Sequence, residues 1–161
     1  MPTCQCPVCK STDPRDNRLR ASVLIETDDG NNILIDCGPD FRQQALRADI
    51  KKLDALLITH IHFDHCAGLD DLRAYSFRNS LNTYAEDSVA ETFIKHYDYI
   101  FVHRYPGVPS VDLHRISPTD VIKVGNNEIV PIRVFHGKLL ILGYRIGPLA
   151  YITDCTGIAD E

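Results

Sequence analysis

The amino-acid sequence predicts a layered α/β sandwich with mixed or antiparallel sheets, formed by a single domain over residues 1–161. Short apolar runs of the kind found in strands recur along the chain, with turn signals between them. Amphipathic helical segments interrupt these runs in the first part of the chain. Such helices must cover the outer faces of sheets, and this requirement leads to a layered arrangement.

The first elements are predicted to be a hairpin, a helix and a buried strand. The segments "ASVLIET" and "NNILIDC" flank the turn signal "DDGN", so they are predicted to pair as a hairpin. After the break at "GPD", "FRQQALR" is predicted to be a short helix with Asp40 as its N-cap. The continuously apolar "DALLIT" indicates a strand covered on both faces, and it leads directly to His60.

The rest of the chain is predicted to pass from helices to strands. Helices are expected in "CAGLDDLRAYSF" and in "SVAETFIKHYDYIF", with a brief strand "NTYA" between them. A proline-rich linker, "HRYPGVPS", follows. From Val111 onward only strands are predicted, with a turn at "GNNE": "VDLHRI", "VIKV", "IVPIRVFH", "LILGYRIG" and "LAYITD".

The composition argues against several classes of function. A formal net charge of -5 disfavours a protein held to nucleic acid or anionic lipid mainly by its charge. No apolar run approaches the roughly 18 residues that span a bilayer, and the start "MPTCQCPVCK" lacks the apolar core of a signal peptide. A cytoplasmic protein without a membrane or nucleic-acid partner is therefore the expectation.

A cluster of metal-ligand residue types stands in "THIHFDH", Thr59 to His65. Because alternate residues of an extended chain point the same way, His60 and His62 can hold one metal from a loop after a strand. A bend would turn Asp64 and His65 toward a second ion, and two ions about 3.5–4 Å apart can clamp an in-line displacement. The alternative is a surface histidine run or a set of core histidines satisfied by hydrogen bonds. The mixture of ligand types at a strand exit argues against it.

This segment resembles the HxHxDH motif of the metallo-β-lactamase superfamily, whose fold is an αββα four-layer sandwich. Within that superfamily the sequence is similar to the phosphoribosyl cyclic phosphodiesterases of the phosphonate pathway, the PhnP-like enzymes. The resemblance runs through essentially the whole chain. The segments that support it are "CQCPVC", "DPRDNRLRASVLIE", "LIDCGPDFRQQ", "AGLDDLR" and "YPGVP".

The resemblance implies a site with two divalent ions, zinc or manganese. The first ion would be held by His60, His62 and a later histidine, His136. The second would be held by two further residues of the motif, with Asp154 as a bridging ligand. The ligands implied for the second ion are Asp64 and His65.

Asp36 in "LIDCG" matches a superfamily aspartate near the metals. It is expected either to orient a ligand histidine or to cap a turn. Arg73 could bind a substrate phosphate. An ion pair with Asp70 or Asp71 is the more common role for an arginine at such a position.

Cys4, Cys6 and Cys9 offer three thiolates and are expected to hold a structural zinc, although a closed site needs four ligands. Free thiols or an incomplete site is the alternative. The family completes this site with a C-terminal histidine, and it adds a last histidine to the second ion. Neither position is matched here, and the strand and glycine loop that precede the cysteines in the family are not matched either. The resemblance therefore implies a chain truncated at both ends. Exposed strand edges could then pair two chains in a homodimer. Cys37, Cys66 and Cys155 are expected to pack as small apolar side chains.

The predicted function is hydrolysis of a phosphodiester, such as a cyclic one on a small sugar phosphate, by a hydroxide that two metal ions activate. Asp64 would orient the nucleophile. One alternative is a tRNA 3′-end processing nuclease, although no extended basic arm for RNA is evident. A non-catalytic, metal-stabilised binding module is another, favoured if the second metal site is incomplete.

Overall fold

The computed structural model describes residues 3–158. The first of its two sheets has five strands in the order β1-β2-β3-β4-β5. The β1–β2 hairpin is antiparallel, as predicted, and the other three pairings are parallel. The strands are β1 (Val23–Glu26), β2 (Asn32–Ile35), β3 (Ala55–Leu57), β4 (Leu81–Glu86) and β5 (Val111–Ile116).

Short helices connect the parallel strands. They are α1 (Phe41–Arg47), α2 (Phe63–Cys66), α3 (Arg73–Ser76), α4 (Asp87–His96) and α5 (Asp98–Phe101), with 3-10 turns at Pro14–Asp16 and Leu69–Leu72. None of the helices in residues 3–158 is long and apolar enough to cross a membrane.

Two helix predictions need correction. The single helix expected in "CAGLDDLRAYSF" is broken at Gly68, whose N–H donates to the Cys37 carbonyl instead of continuing a helix. The second predicted helix divides at Tyr97, where φ is -119° and ψ is 42°. Asp40 does stand at the start of α1, but its carboxylate accepts hydrogen bonds from Arg20 and does not cap the helix.

The second sheet also has five strands, all antiparallel to their neighbours. Four of its strands follow the prediction, and the fifth was not predicted because two residues are too few to show a pattern. The strands are β6 (Ile122–Val124), β7 (Asn127–His136), β8 (Leu139–Ile146), β9 (Leu149–Tyr151) and β10 (Gly157–Ile158).

The buried residues form two clusters, one on each face of the first sheet. On one face, Leu34 and Leu56 pack with helix residues such as Phe93. On the other face, Ile33 packs with residues of the second sheet such as Tyr144. The layers are therefore helix, sheet and sheet, which confirms the two-sheet α/β prediction. A further helical layer beyond the second sheet is not found within residues 3–158.

Contacts between the sheets fix both ends of the sandwich. At one end, Leu142 N–H donates to the Thr59 carbonyl at 3.1 Å, and the buried Tyr144 hydroxyl donates to the Ile58 carbonyl at 2.7 Å. Elsewhere, the Asp29 carboxylate joins the β1–β2 turn to the β6–β7 turn. It accepts from the Thr27 hydroxyl at 2.5 Å and from the Asn126 N–H at 2.8 Å. These hydrogen bonds hold the pKa of Asp29 well below its usual range.

Candidate metal centre

The end of β3 delivers the His/Asp segment to the edge where the two sheets meet. The chain stays extended to His62, at φ -59° and ψ 143°, and α2 begins at Phe63. Asp64 and His65 therefore lie on a helical turn, while His60 and His62 lie on extended backbone. This change of conformation is the bend that the two-ion hypothesis requires.

Four of the predicted ligands form one compact group. Ligand atoms of His60, His62, His136 and Asp154 all lie within 4.8 Å of one another. Nε2 of His60 and Nδ1 of His62 are 3.0 Å apart. Two nitrogens that bind one tetrahedral zinc ion at about 2.0–2.1 Å would be separated by about 3.4 Å, so this spacing fits a shared cation.

Asp154 lies between this group and the second pair of predicted ligands. Its Oδ2 is 3.6 Å from His60 Nε2, 3.2 Å from His65 Nε2 and 3.9 Å from His136 Nε2. Asp64 Oδ2 is 3.7 Å from the same His65 nitrogen. The structure thus brings all the side chains predicted to bind the paired ions to one place, with Asp154 in a bridging position.

A buried hydrogen-bond chain orients two of the histidines. The Thr59 hydroxyl donates to Asp36 Oδ2 at 2.9 Å, so its single proton is used and His60 Nδ1–H must donate to the Thr59 oxygen at 2.9 Å. His65 Nδ1 donates to the same Asp36 oxygen at 2.7 Å. Both histidines therefore turn the Nε2 lone pair toward Asp154, and Asp36 adopts the orienting position that the sequence suggested.

The sequence pattern by itself assigns no role to Thr59. Its backbone N–H also donates to Asp36, at 2.8 Å, and its side chain is 1% exposed. The available signal was its position immediately before the first histidine of the motif. Asp36 and Asp154 both have left-handed backbone, with φ of 62° and 49°, and sequence patterns did not reveal this.

The electrostatics of the centre favour the neutral, metal-binding form of the His60 imidazole. Burial and the neighbouring histidines lower the pKa of His60 to about 4. Burial opposes the charged form of His65 as well, but the hydrogen bond with Asp36 and the nearby carboxylates raise its pKa overall. Burial raises the pKa of Asp36, and its bonds with His65 and Thr59 limit that rise.

The inner side of the metal centre is buried, and its outer side is exposed to solvent. His60 and His65 are each 1% exposed. The side chains of His136 and Asp154 are about one-third exposed, and that of Asp64 is more than half exposed. A molecule from solution can therefore reach the outer side of the cluster while the inner histidines are shielded.

Two glycines allow the loops under the site to interlock. A Cβ on Gly38 would lie 2.1 Å from the Asp64 carbonyl oxygen, and one on Gly68 would lie 2.2 Å from the Gly38 carbonyl oxygen. The Cys37 N–H donates to the His65 carbonyl at 2.8 Å across the same junction. Close backbone contact of this kind holds the loop after β2 against α2.

The cysteine cluster forms a second group of possible ligands. The sulfurs of Cys4, Cys6 and Cys9 lie within 4.8 Å of one another, and no fourth His, Cys, Asp or Glu from residues 3–158 joins them. Hydrogen bonds from the Cys9 backbone and the neighbouring thiols lower the pKa of Cys6 to about 7. Three converging sulfurs could supply three of the four ligands of a zinc ion.

Arg73 contacts the loop that contains Gly107. Its guanidinium donates to the Gly107 carbonyl at 3.1 Å, and it lines a groove to which none of the His/Asp cluster contributes. The ion pair with Asp70 or Asp71 is also absent among residues 3–158. The expected ion pair is therefore not formed among the described residues, and the substrate-phosphate role of Arg73 stays a prediction. Cys37 and Cys66 are buried, as expected, but Cys155 is exposed.

The residues present fit a divalent cation well, since imidazole and carboxylate donors converge without an arginine or lysine in the cluster. The fold and the site together define a two-sheet α/β protein with a His/Asp metal centre at the sheet edge. The family model described as the beta-lactamase superfamily domain matches residues 31–161. The chain belongs to the metallo-β-lactamase superfamily, and it is PhnP-like within it.

Similar proteins include both a solved structure and curated sequences. A crystal structure of a new diphosphatase from the PhnP family is 40% identical, with a TM-score of 0.84, over 94% of this chain and 57% of that one. An octanoyltransferase of Porphyromonas gingivalis is 48% identical over 98% of this chain and 32% of the relative. A ribonuclease Z of Methanopyrus kandleri is 26% identical over 83% of this chain and 46% of the relative. The chain thus spans less than two thirds of each.

Proposed function

We propose that this chain carries the catalytic centre of a metal-dependent hydrolase that cleaves phosphodiester bonds. A small cyclic phosphodiester is the expected substrate class, and two divalent ions, zinc or manganese, are the expected cofactors. The observation that carries the proposal is the convergence of six donor side chains. His60, His62, His136 and Asp154 form one compact group, Asp154 also lies 3.2 Å from His65, and Asp64 lies 3.7 Å from His65.

The similar proteins support this class of reaction. The solved relative at 40% identity is described as a diphosphatase, and two archaeal relatives that align with most of this chain are described as ribonuclease Z. Both descriptions concern bonds to phosphorus. The octanoyltransferase aligns with this chain over only about a third of its own length, so its printed activity gives weaker guidance.

Each residue of the centre has a proposed task. One ion would be held by His60, His62 and His136. The other would be held by Asp64 and His65, and Asp154 would contact both ions. Bound ions would supply Lewis acidity, which lowers the pKa of water and stabilises charge on a phosphoryl group.

The chain's own side chains provide orientation and access. Asp36 and Thr59 fix which nitrogen of His60 and His65 carries the proton. Asp64 lies at the solvent-facing rim, where its carboxylate can accept a proton from an attacking water or align it. The open side beside Asp154 admits the phosphodiester.

The test is hydrolysis of bis-p-nitrophenyl phosphate by the full polypeptide, before and after metal removal and on re-addition of zinc or manganese. We expect metal-dependent turnover. His62→Ala should reduce it by more than the roughly 10–100-fold typical of residues that only orient a ligand. His103→Ala is the control, because that exposed histidine contacts Asp98 and stacks on Tyr105, neither of which belongs to the metal centre. Bound metal without turnover would favour the binding-module alternative.

A nuclease is the second candidate, and similarity to ribonuclease Z over 83% of the chain is the observation that favours it. Cleavage of a precursor tRNA, assayed beside the small diester, separates the two. Preference for the tRNA by several orders of magnitude in kcat/KM would replace the small-diester proposal.

A further inference from the structure

The four side chains of the compact ligand group come from two different sheets. Two of them follow β3 of the first sheet, and the other two end β7 or follow β9 of the second sheet: His60 and His62, then His136 and Asp154. The hydrogen-bond chain that begins at Asp36 orients His60 of the first pair. A cation shared by all four side chains therefore requires that the second pair be held in place as well.

Thr156 links the two segments that carry the second pair. It stands two residues after Asp154, and its backbone N–H donates to the Phe135 carbonyl at 2.7 Å. Its hydroxyl donates to the same carbonyl at 2.9 Å and accepts from the Gly137 N–H at 2.8 Å. A hydroxyl has one proton and two lone pairs, so it can make both hydrogen bonds at once. Because residues 135 and 137 flank His136, Thr156 binds the chain on both sides of that ligand.

The backbone near these contacts needs support from its neighbours. Asp154 has a left-handed φ of 49°, a conformation that is unfavourable for a residue with a Cβ and persists only where surrounding contacts hold it. Gly137, with a φ of 60°, adopts the same region without that penalty. Asp154 Oδ2 lies 3.9 Å from His136 Nε2. The contacts of Thr156 with the β7–β8 turn therefore bear on the distance between these two ligands.

The Thr156 side chain is exposed to solvent, and this determines what its removal should do. Water can replace the lost partner of the Gly137 N–H, so no buried donor is left unpaired. The net contribution of such a hydrogen bond to folding is modest. Loss of the hydroxyl should therefore leave the protein folded and act mainly on the placement of the two ligands.

We propose that Thr156 is a positioning residue of the metal centre, whose hydroxyl holds His136 and Asp154 at the separation that one divalent ion requires. The inference rests on the metal-binding part of the proposed function. It predicts that metal affinity depends on a side chain that is not itself assigned as a ligand.

The test is a cobalt(II) titration of the metal-free full polypeptide against a competing chelator, followed by the visible d–d absorption. Sulfur-to-cobalt charge transfer reports the cysteine cluster separately. Thr156→Val removes the hydroxyl but keeps the side-chain shape, and it should weaken binding at the His/Asp cluster about three- to tenfold, the value of one net hydrogen bond. Thr156→Ser keeps the hydroxyl and should bind within about twofold of the wild type. Thr92→Val is the matched control, because that hydroxyl donates to the Ser88 carbonyl at 2.8 Å within α4.

Cobalt affinity of Thr156→Val within about twofold of the wild type would overturn the inference, as would an equal loss in Thr156→Ser. Thr156→Ala is a second variant without the hydroxyl. If neither it nor Thr156→Val folds, as judged by urea unfolding of the metal-free protein, the hydroxyl serves folding and the inference is also overturned. Because cobalt binding needs no substrate, the predicted order of affinities in a protein that cannot hydrolyse bis-p-nitrophenyl phosphate would refute the proposed function alone.

Discussion

Replacing Asp36 with asparagine should weaken metal binding without unfolding the protein. The fully buried carboxylate accepts hydrogen bonds from the Thr59 N–H, the Thr59 hydroxyl and His65 Nδ1. Asparagine has one acceptor oxygen and an NH₂ group, so the NH₂ must face a donor. At least one bond is lost and a buried donor is left unpaired, at a cost of about 1–3 kcal/mol.

The lost hydrogen bond should disturb the orientation of His60 and His65, because Asp36 fixes which ring nitrogen of each histidine carries the proton. At 1.4 kcal/mol per tenfold, zinc affinity should decrease by about 5–150-fold. Since burial raises the pKa of Asp36, the neutral amide relieves part of the desolvation cost. The stability of the metal-free protein should therefore change less than the affinity.

The assay is zinc competition with a chromogenic chelator at neutral pH, with urea unfolding of the metal-free protein as a check on folding. Asp112→Asn is the control, because Asp112 also lies near an imidazole, 3.6 Å from His114, but on the surface. Zinc affinity of folded Asp36→Asn within twofold of the wild type would refute the orienting role of Asp36.

Three other predictions follow from specific contacts. Gly68→Ala should lower both stability and zinc affinity, because the new Cβ would lie 2.2 Å from the Gly38 carbonyl oxygen; chemical denaturation and chelator competition measure this. Asp29 has a folded pKa below its unfolded value of about 3.9, so its stabilising contribution is present above that pH and is lost as the pH falls. Asp29→Asn should flatten that acid decline in urea titrations. In metal-free protein, iodoacetamide should modify Cys6, with a pKa of about 7, well before the buried Cys66, whose pKa is about 12, as mapped by peptide mass spectrometry.

Each of these predictions has a control or a contradicting result. Gly157→Ala should be tolerated, because its Cβ would meet Phe135 Cδ2 at 3.8 Å, an ordinary contact. An acid decline that is as steep in Asp29→Asn as in the wild type would show that other carboxylates dominate. Alkylation of Cys66 as fast as that of Cys6 in the metal-free protein would contradict the predicted order of thiol reactivity.

The layered fold follows from patterns that the sequence displays clearly. Leu34 faces the helices while Ile33 and Ile35 face the second sheet, and the apolar run of β3 is buried on both sides. Helix boundaries were harder to predict. The break at Gly68 depends on a close contact with Gly38, which is distant in sequence and invisible to periodicity.

The site was predicted unevenly, for physical reasons. His60 and His62 stand out because spacing alone places them on one side of an extended chain. His136 and Asp154 required family resemblance, since a single polar residue at a strand end carries no distinctive pattern. Thr59 gained interest only from its three-dimensional contacts with Asp36 and His60.

The central claim is that the His/Asp cluster binds divalent ions that support phosphodiester hydrolysis. Its most direct test is to measure, in the same samples of the full polypeptide, bound metal by elemental analysis and turnover of bis-p-nitrophenyl phosphate during stepwise metal loading. Turnover should rise with ions bound beyond any held by the cysteine cluster, and both should be lost in Asp154→Ala. Turnover that is independent of metal content, or metal content unaffected by Asp154→Ala, would contradict the claim.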